Sequence, residues 1–135
     1  AEKYGWKKIE AFIEQQFNIQ FSFNKDLQIN VKHVGYLFES IAQSIRLSDT
    51  QSDYLLQLLN KQQHLSKLPK YLPKHIYSHN KTGEYGEYSH DAGIFYTPKA
   101  NYVLVFMSKT KNPSATDEQM AHMSKEIYEA LNDIE

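Results

Sequence analysis

The sequence has no cysteine and a single arginine, and it holds only four prolines and five glycines in 135 residues. Without cysteine there can be no disulfide, no thiolate nucleophile and no cysteine-ligated zinc. No apolar run approaches the roughly 20 residues that span a bilayer as a helix, so no membrane span is expected. The formal net charge of -1 gives no whole-chain electrostatic case for nucleic acid or an anionic surface. Ala1-Glu2-Lys3-Tyr4 lacks the apolar stretch of a signal peptide. What remains is a chain of one-domain size, 41% hydrophobic and 23% charged, which fits a globular fold. Lys, Gln, Asn and Tyr dominate its polar positions and suggest a bacterial source.

Hydrophobic periodicity divides the chain. Trp6, Ile9, Phe12, Ile13 and Phe17 form a helical stripe. Ile19, Phe21 and Phe23 then alternate with polar residues, an extended pattern ending at the turn Asn24-Lys25-Asp26. Asn30 is a candidate N-cap for a second helix with Val34, Leu37, Phe38, Ile41 and Ile45 inward. Ser48-Asp49-Thr50-Gln51 reads as a capping box opening a third helix, whose buried face should be Tyr54, Leu55, Leu58 and Leu59. Residues 60–73 read as a solvated loop broken by Pro69 and Pro73. Three strands follow: His75 to Thr82, Asp91 to Thr97 and Tyr102 to Ser108. Val103 to Met107 is apolar on both faces and is expected at the sheet centre. Asn112-Pro113-Ser114 reads as a loop, and Thr116-Asp117-Glu118-Gln119 as a capping box opening a last helix with Met120, Met123, Ile127 and Leu131 on one face. The order is α+β: a helical portion, 1–73, then an antiparallel sheet with a C-terminal helix, 74–135.

The chemistry concentrates at Lys81-Thr82-Gly83. A strand edge bearing these residues can hold a carboxylate with the ammonium and hydroxyl. The glycine lets a substrate lie against the backbone as an added strand. Tyr77-Ser78-His79-Asn80-Lys81-Thr82-Gly83, then Asp91-Ala92-Gly93-Ile94-Phe95, Pro98, an apolar strand and a final helix, together resemble the third motif region of serine β-lactamases and penicillin-binding proteins. The likeness is best to the class A β-lactamase-like branch. The resemblance implies a β-lactamase/transpeptidase-like fold, a helical cluster plus an antiparallel sheet with a covering C-terminal helix. It also implies acyl transfer on β-lactam or D-Ala-D-Ala-like substrates, a bacterial extracytoplasmic location and no cofactor. Lys81, Thr82 and Gly83 would bind substrate, and the backbone amide of Glu84 would donate to the oxyanion.

The family's nucleophile stands in a Ser-x-x-Lys at the start of a buried helix. Here Ser22-Phe23-Asn24-Lys25, Ser78-His79-Asn80-Lys81 and Ser108-Lys109-Thr110-Lys111 match in form, but none opens an apolar-periodic helix. The family's deacylating Glu-x-x-Leu-Asn also has no counterpart; the nearest stretch, Asp26-Leu27-Gln28-Ile29-Asn30, has no Glu, so an acyl-enzyme would persist. The expectation is a C-terminal portion, inactive alone, whose partners are a small-molecule or peptidoglycan-like substrate and the missing N-terminal portion of the same protein. The competing reading is a non-catalytic domain of this fold that binds peptide or cell-wall components; a third is an unrelated α+β interaction domain. His75 and His79 share a strand face with His90 across the hairpin, but no second cluster supports a metal site. Asp91 reads as a structural anchor.

Overall fold

The computed structural model describes residues 3–19 and 29–133. The elements are α1 (Trp6–Phe17), α2 (Val31–Ala42), α3 (Asp49–Asn60), β1 (Tyr77–Tyr85), β2 (Tyr88–Tyr96), β3 (Tyr102–Lys109) and α4 (Pro113–Asn132). The expected extended stretch Phe21–Phe23 and its turn lie outside the described residues. The strands form one antiparallel sheet in the order β1-β2-β3. Helices α2 and α3 pack on one face, against β2, β3 and β1, and α4 packs on β2 and β3. The class is α+β, as the element order implied.

Local chemistry sets the helix ends. The Asn30 side chain accepts the Lys32 N–H at 2.8 Å and starts α2. Ser48 Oγ accepts from Gln51 N while Gln51 Oε1 accepts from Ser48 N, the reciprocal capping box expected for α3. The last helix starts three residues before the expected box. Asn112 is its cap, accepting the Ala115 N–H at 3.2 Å, and Pro113 occupies the first turn, where its missing N–H costs nothing. Thr116 therefore lies inside the first turn, its hydroxyl donating back to the Asn112 carbonyl.

Period-2 alternation sorts the strand side chains. On one face of β2, Phe95 packs with Leu68 and Met120 in a fully buried cluster, ringed by Leu72, Tyr102, Leu104 and Phe106. Phe95 stacks on Tyr102 with centroids 5.2 Å apart. The central strand is β2, not Val103–Met107: β3 lies at the sheet edge and its residues are half-buried. Its two apolar faces reflect cover by α2 on one side and α4 on the other, which edge position does not prevent. Strand β1 runs further than expected, through Lys81-Thr82-Gly83 to Tyr85. A two-residue turn, Gly86-Glu87, joins it to β2. Gly86 takes φ +56°, which suits the first central position of a tight hairpin.

The apolar stripes of α1 and α3 are only partly covered. Phe17 is buried, but Trp6 and Phe12 are each 56% exposed, Tyr54 is 62% exposed and Leu58 47%. An amphipathic face is buried only where another layer lies against it, and among the described residues Phe12, Tyr54 and Leu58 are left largely to solvent. Ile45 falls beyond the end of α2, where Ser44 and Arg46 turn left-handed.

Gly93 marks the tightest packing in the sheet. A Cβ there would lie 2.8 Å from Asn80 Cβ and 3.2 Å from Asn80 Cα on the paired strand. Both strands are held by their ladders, so neither can retreat cheaply. Gly93→Ala is expected to lower stability by about 1–3 kcal/mol, read as a lower urea midpoint at unchanged slope.

Candidate active-site strand and its buried support

The free edge of the sheet is built by β1. Among the described residues its only strand partner is β2, so every second residue of β1 turns its N–H and C=O away from that partner. Tyr85 and Tyr88 flank the two-residue turn as a register pair and close the hairpin by hydrogen bonding. Gly83 with His90 and Lys81 with Ala92 are the next pairs of that kind. The alternation leaves the backbone groups of Thr82 and Glu84 on the open edge. Lys81 Nζ reaches over and donates to the Thr82 carbonyl at 2.6 Å.

The side chains of the motif divide between the two faces. Lys81 is exposed and lies with Gly83 on the face toward α3, whereas Thr82 is on the opposite face and 9% exposed. Gly83 has no positive φ, and a Cβ there would meet His90 at an ordinary 3.6 Å, so the fold does not itself demand glycine. Tyr85 is exposed at the hairpin tip beside Tyr88. His79 packs edge-on against Tyr96, and burial pushes its imidazole below the usual range. Among the described residues, no group of three His, Asp or Glu could hold a metal ion. Ser22 lies outside the described residues.

Behind the strand lies a polar network. Its hub is Lys67, which belongs to the loop expected to be solvated, yet its side chain is 1% exposed. Its ammonium meets Glu84 Oε1 at 2.8 Å, Ser89 Oγ at 2.8 Å and the His90 carbonyl at 3.3 Å. Asp117 Oδ1 is 3.7 Å away and accepts from the Ser89 hydroxyl at 2.5 Å. A buried ammonium survives only when its protons are all taken, and three acceptors take them here. Glu84 and Ser89 are cross-strand neighbours, so one cation grips both strands next to the hairpin. The Lys67 ammonium holds the Glu84 carboxyl below its usual range. Nothing in the sequence separates Lys67 from the other lysines of its loop; only burial does.

The second anchor is Asp91. Its carboxylate accepts the Leu68 N–H at 3.1 Å and the Asn80 amide at 3.2 and 3.3 Å. It ties the loop before β1 to the sheet. Burial outweighs these donors and raises its pKa to about 6. At the loop's far end Lys70 and Tyr71 both bond Glu118 of α4.

An open edge backed by a buried polar network is suited to holding an extended ligand at fixed backbone positions. A family model described as the beta-lactamase enzyme family matches residues 2–131, and the chain belongs to that family. The fold is similar to a β-lactamase of Sphaerobacter thermophilus DSM 20745, at TM-score 0.82 and 18% identity over 98% of this chain and 55% of that one. It is likewise similar to the structure of PBP-A, at 0.81 and 20% over 96% and 52%. A β-lactamase from Chitinophaga pinensis DSM 2588 gives 0.82 and 20% over 95% and 56%. This chain thus spans about half the length of the solved structures it matches. No curated protein sequence matches it.

Proposed function

We propose that this chain is the C-terminal part of a β-lactamase-like serine hydrolase that acts by acyl transfer on β-lactam or D-Ala-D-Ala-like substrates outside the bacterial cytoplasm. The observation that carries the reading is the open edge of β1, which presents Lys81, Gly83 and the outward amide of Glu84 side by side. In the reaction, a serine oxygen attacks the carbonyl carbon, and the carbonyl oxygen takes the negative charge of the tetrahedral intermediate. The Glu84 N–H would stabilise that charge. The C–N bond then breaks, leaving an acyl-serine. The Lys81 ammonium would hold the substrate carboxylate, with the Thr82 hydroxyl as a second donor. Glycine at 83, which the fold does not need, leaves room for a substrate backbone along the edge. One PBP-A structure is an acyl-enzyme complex with penicillin G, which supports this substrate class.

The nucleophile would come from the N-terminal portion of the same protein. The exposed apolar stripes of α1 and α3 and the outer edge of β3 are surfaces such a portion would cover. A fluorescent penicillin tests the reading. The full-length protein should take up covalent label and keep it for hours, because the stretch Asp26-Leu27-Gln28-Ile29-Asn30, nearest to the family's deacylating motif, has no glutamate. A full-length protein that takes up no label would overturn the reading.

A further inference from the structure

We infer that Lys67 is a positioning residue for the acyl-transfer site, its buried ammonium clamping the Glu84 carboxylate so that the Glu84 amide is fixed on the open edge of β1. The inference rests on the acyl-transfer reading above. It begins from an anomaly of burial: a lysine side chain 1% exposed reaches a glutamate side chain that is 62% exposed. The ion pair therefore runs from the core outward. At its inner end the loop is immobilised, since Leu68 is fully buried and its N–H is held by Asp91. At its outer end is the last β1 residue but one before the hairpin turn.

That end of the strand needs an anchor. Among the described residues it has a strand partner on one side only, and Tyr85, Gly86 and Glu87 beside it are all exposed. An edge strand near a turn opens more readily than the centre of a sheet. An oxyanion donor works only if it is already held at the place where the charge develops, to within about 0.5 Å. Lys67 supplies the restraint from below: it bonds Glu84 on β1 and both Ser89 and the His90 carbonyl on β2. Asp117 extends the restraint to α4 through Ser89. A purely structural ion pair would behave differently. Removing one partner of a buried pair costs stability, but a purely structural pair would leave the acylation rate of the folded protein alone.

The test uses the full-length protein and a fluorescent penicillin. The maximal acylation rate and the half-saturating concentration are measured for wild type, Lys67→Met, Glu84→Ala and the double variant. Each single change should slow maximal acylation about tenfold and move the half-saturating concentration by less than about twofold. The double variant should be no slower than the slower single, because both break one clamp. Lys67→Arg should recover part of the rate. A folded Lys67→Met that acylates at the wild-type rate overturns the inference, as do single effects that multiply in the double variant. If Lys67→Met does not fold, Glu84→Ala decides, because its side chain is exposed and its amide is retained; an unchanged rate there overturns the inference. A wild type that is labelled while the variants match it sinks the clamp alone, whereas an unlabelled wild type sinks the acyl-transfer reading and the clamp together.

Discussion

Asp91→Ala should lower the stability of the protein by about 2–4 kcal/mol at neutral pH, a large share of a typical folding free energy. The side chain is 1% exposed and takes up the Leu68 N–H and the Asn80 amide, both in fully buried residues. Alanine would orphan these donors, at about 1–3 kcal/mol each, and part of that loss is offset by no longer burying a charge. Asp91→Asn keeps one acceptor and should cost less. The pH dependence separates the two roles. Burial lifts Asp91 from 3.8 to about 6, so between those values the folded state keeps a proton that the unfolded state has released. The stability due to protonated Asp91 is therefore present at acid pH and is lost as pH rises through about 6, an effect on the order of 3 kcal/mol. Glu84 and Glu118 are shifted the other way, below 4.5, so they act at lower pH. Urea unfolding from pH 4.5 to 7 should show wild type losing stability relative to Asp91→Asn, while the His79 imidazole, lowered by burial, adds a rise with pH common to both proteins. Parallel curves for the two proteins would refute the assignment.

The second large effect is at Lys81. In the full-length protein, Lys81→Ala should slow acylation about a hundredfold, the scale expected when one member of a desolvated charge pair is removed. Lys81 is exposed and, among the described residues, its ammonium donates to the neighbouring Thr82 carbonyl alone, so the substitution should leave stability within about 0.5 kcal/mol of wild type. Loss should appear mainly with substrates that carry the carboxylate. An ester analogue of the same penicillin should react with both proteins at similar, slow rates. Equal rates of wild type and Lys81→Ala toward the free acid would remove Lys81 from the site.

The parts of this fold legible in sequence are those governed by local rules. Asn30 and Ser48 cap helices because a short polar side chain can reach an orphan N–H, whatever surrounds it. Alternation marks the strands from residue 75 onward for the same reason, although β1 itself begins at Tyr77. Sequence and structure part where two local signals compete or where tertiary cover decides. Thr116-Asp117-Glu118-Gln119 satisfies the capping-box pattern, yet Asn112, with Pro113 after it, caps the helix four residues earlier and the longer helix wins. Val103–Met107 is apolar on both faces, which reports helices above and below rather than a neighbour on each edge. Period alone turns the stripe of α3 inward, although Tyr54 and Leu58 face out. At the site, the tripeptide Lys81-Thr82-Gly83 was visible as a motif. Its buried support was not, because the partners of Lys67 come from β1, β2 and α4 and meet only on folding.

The most direct test of the central claim is to locate the acyl group. Full-length protein labelled with penicillin would be digested and the modified peptide sequenced by mass spectrometry. The label should fall on a serine outside these 135 residues, and the isolated chain should gain no mass. A label on Ser22, or on any other serine of this chain, would contradict the account.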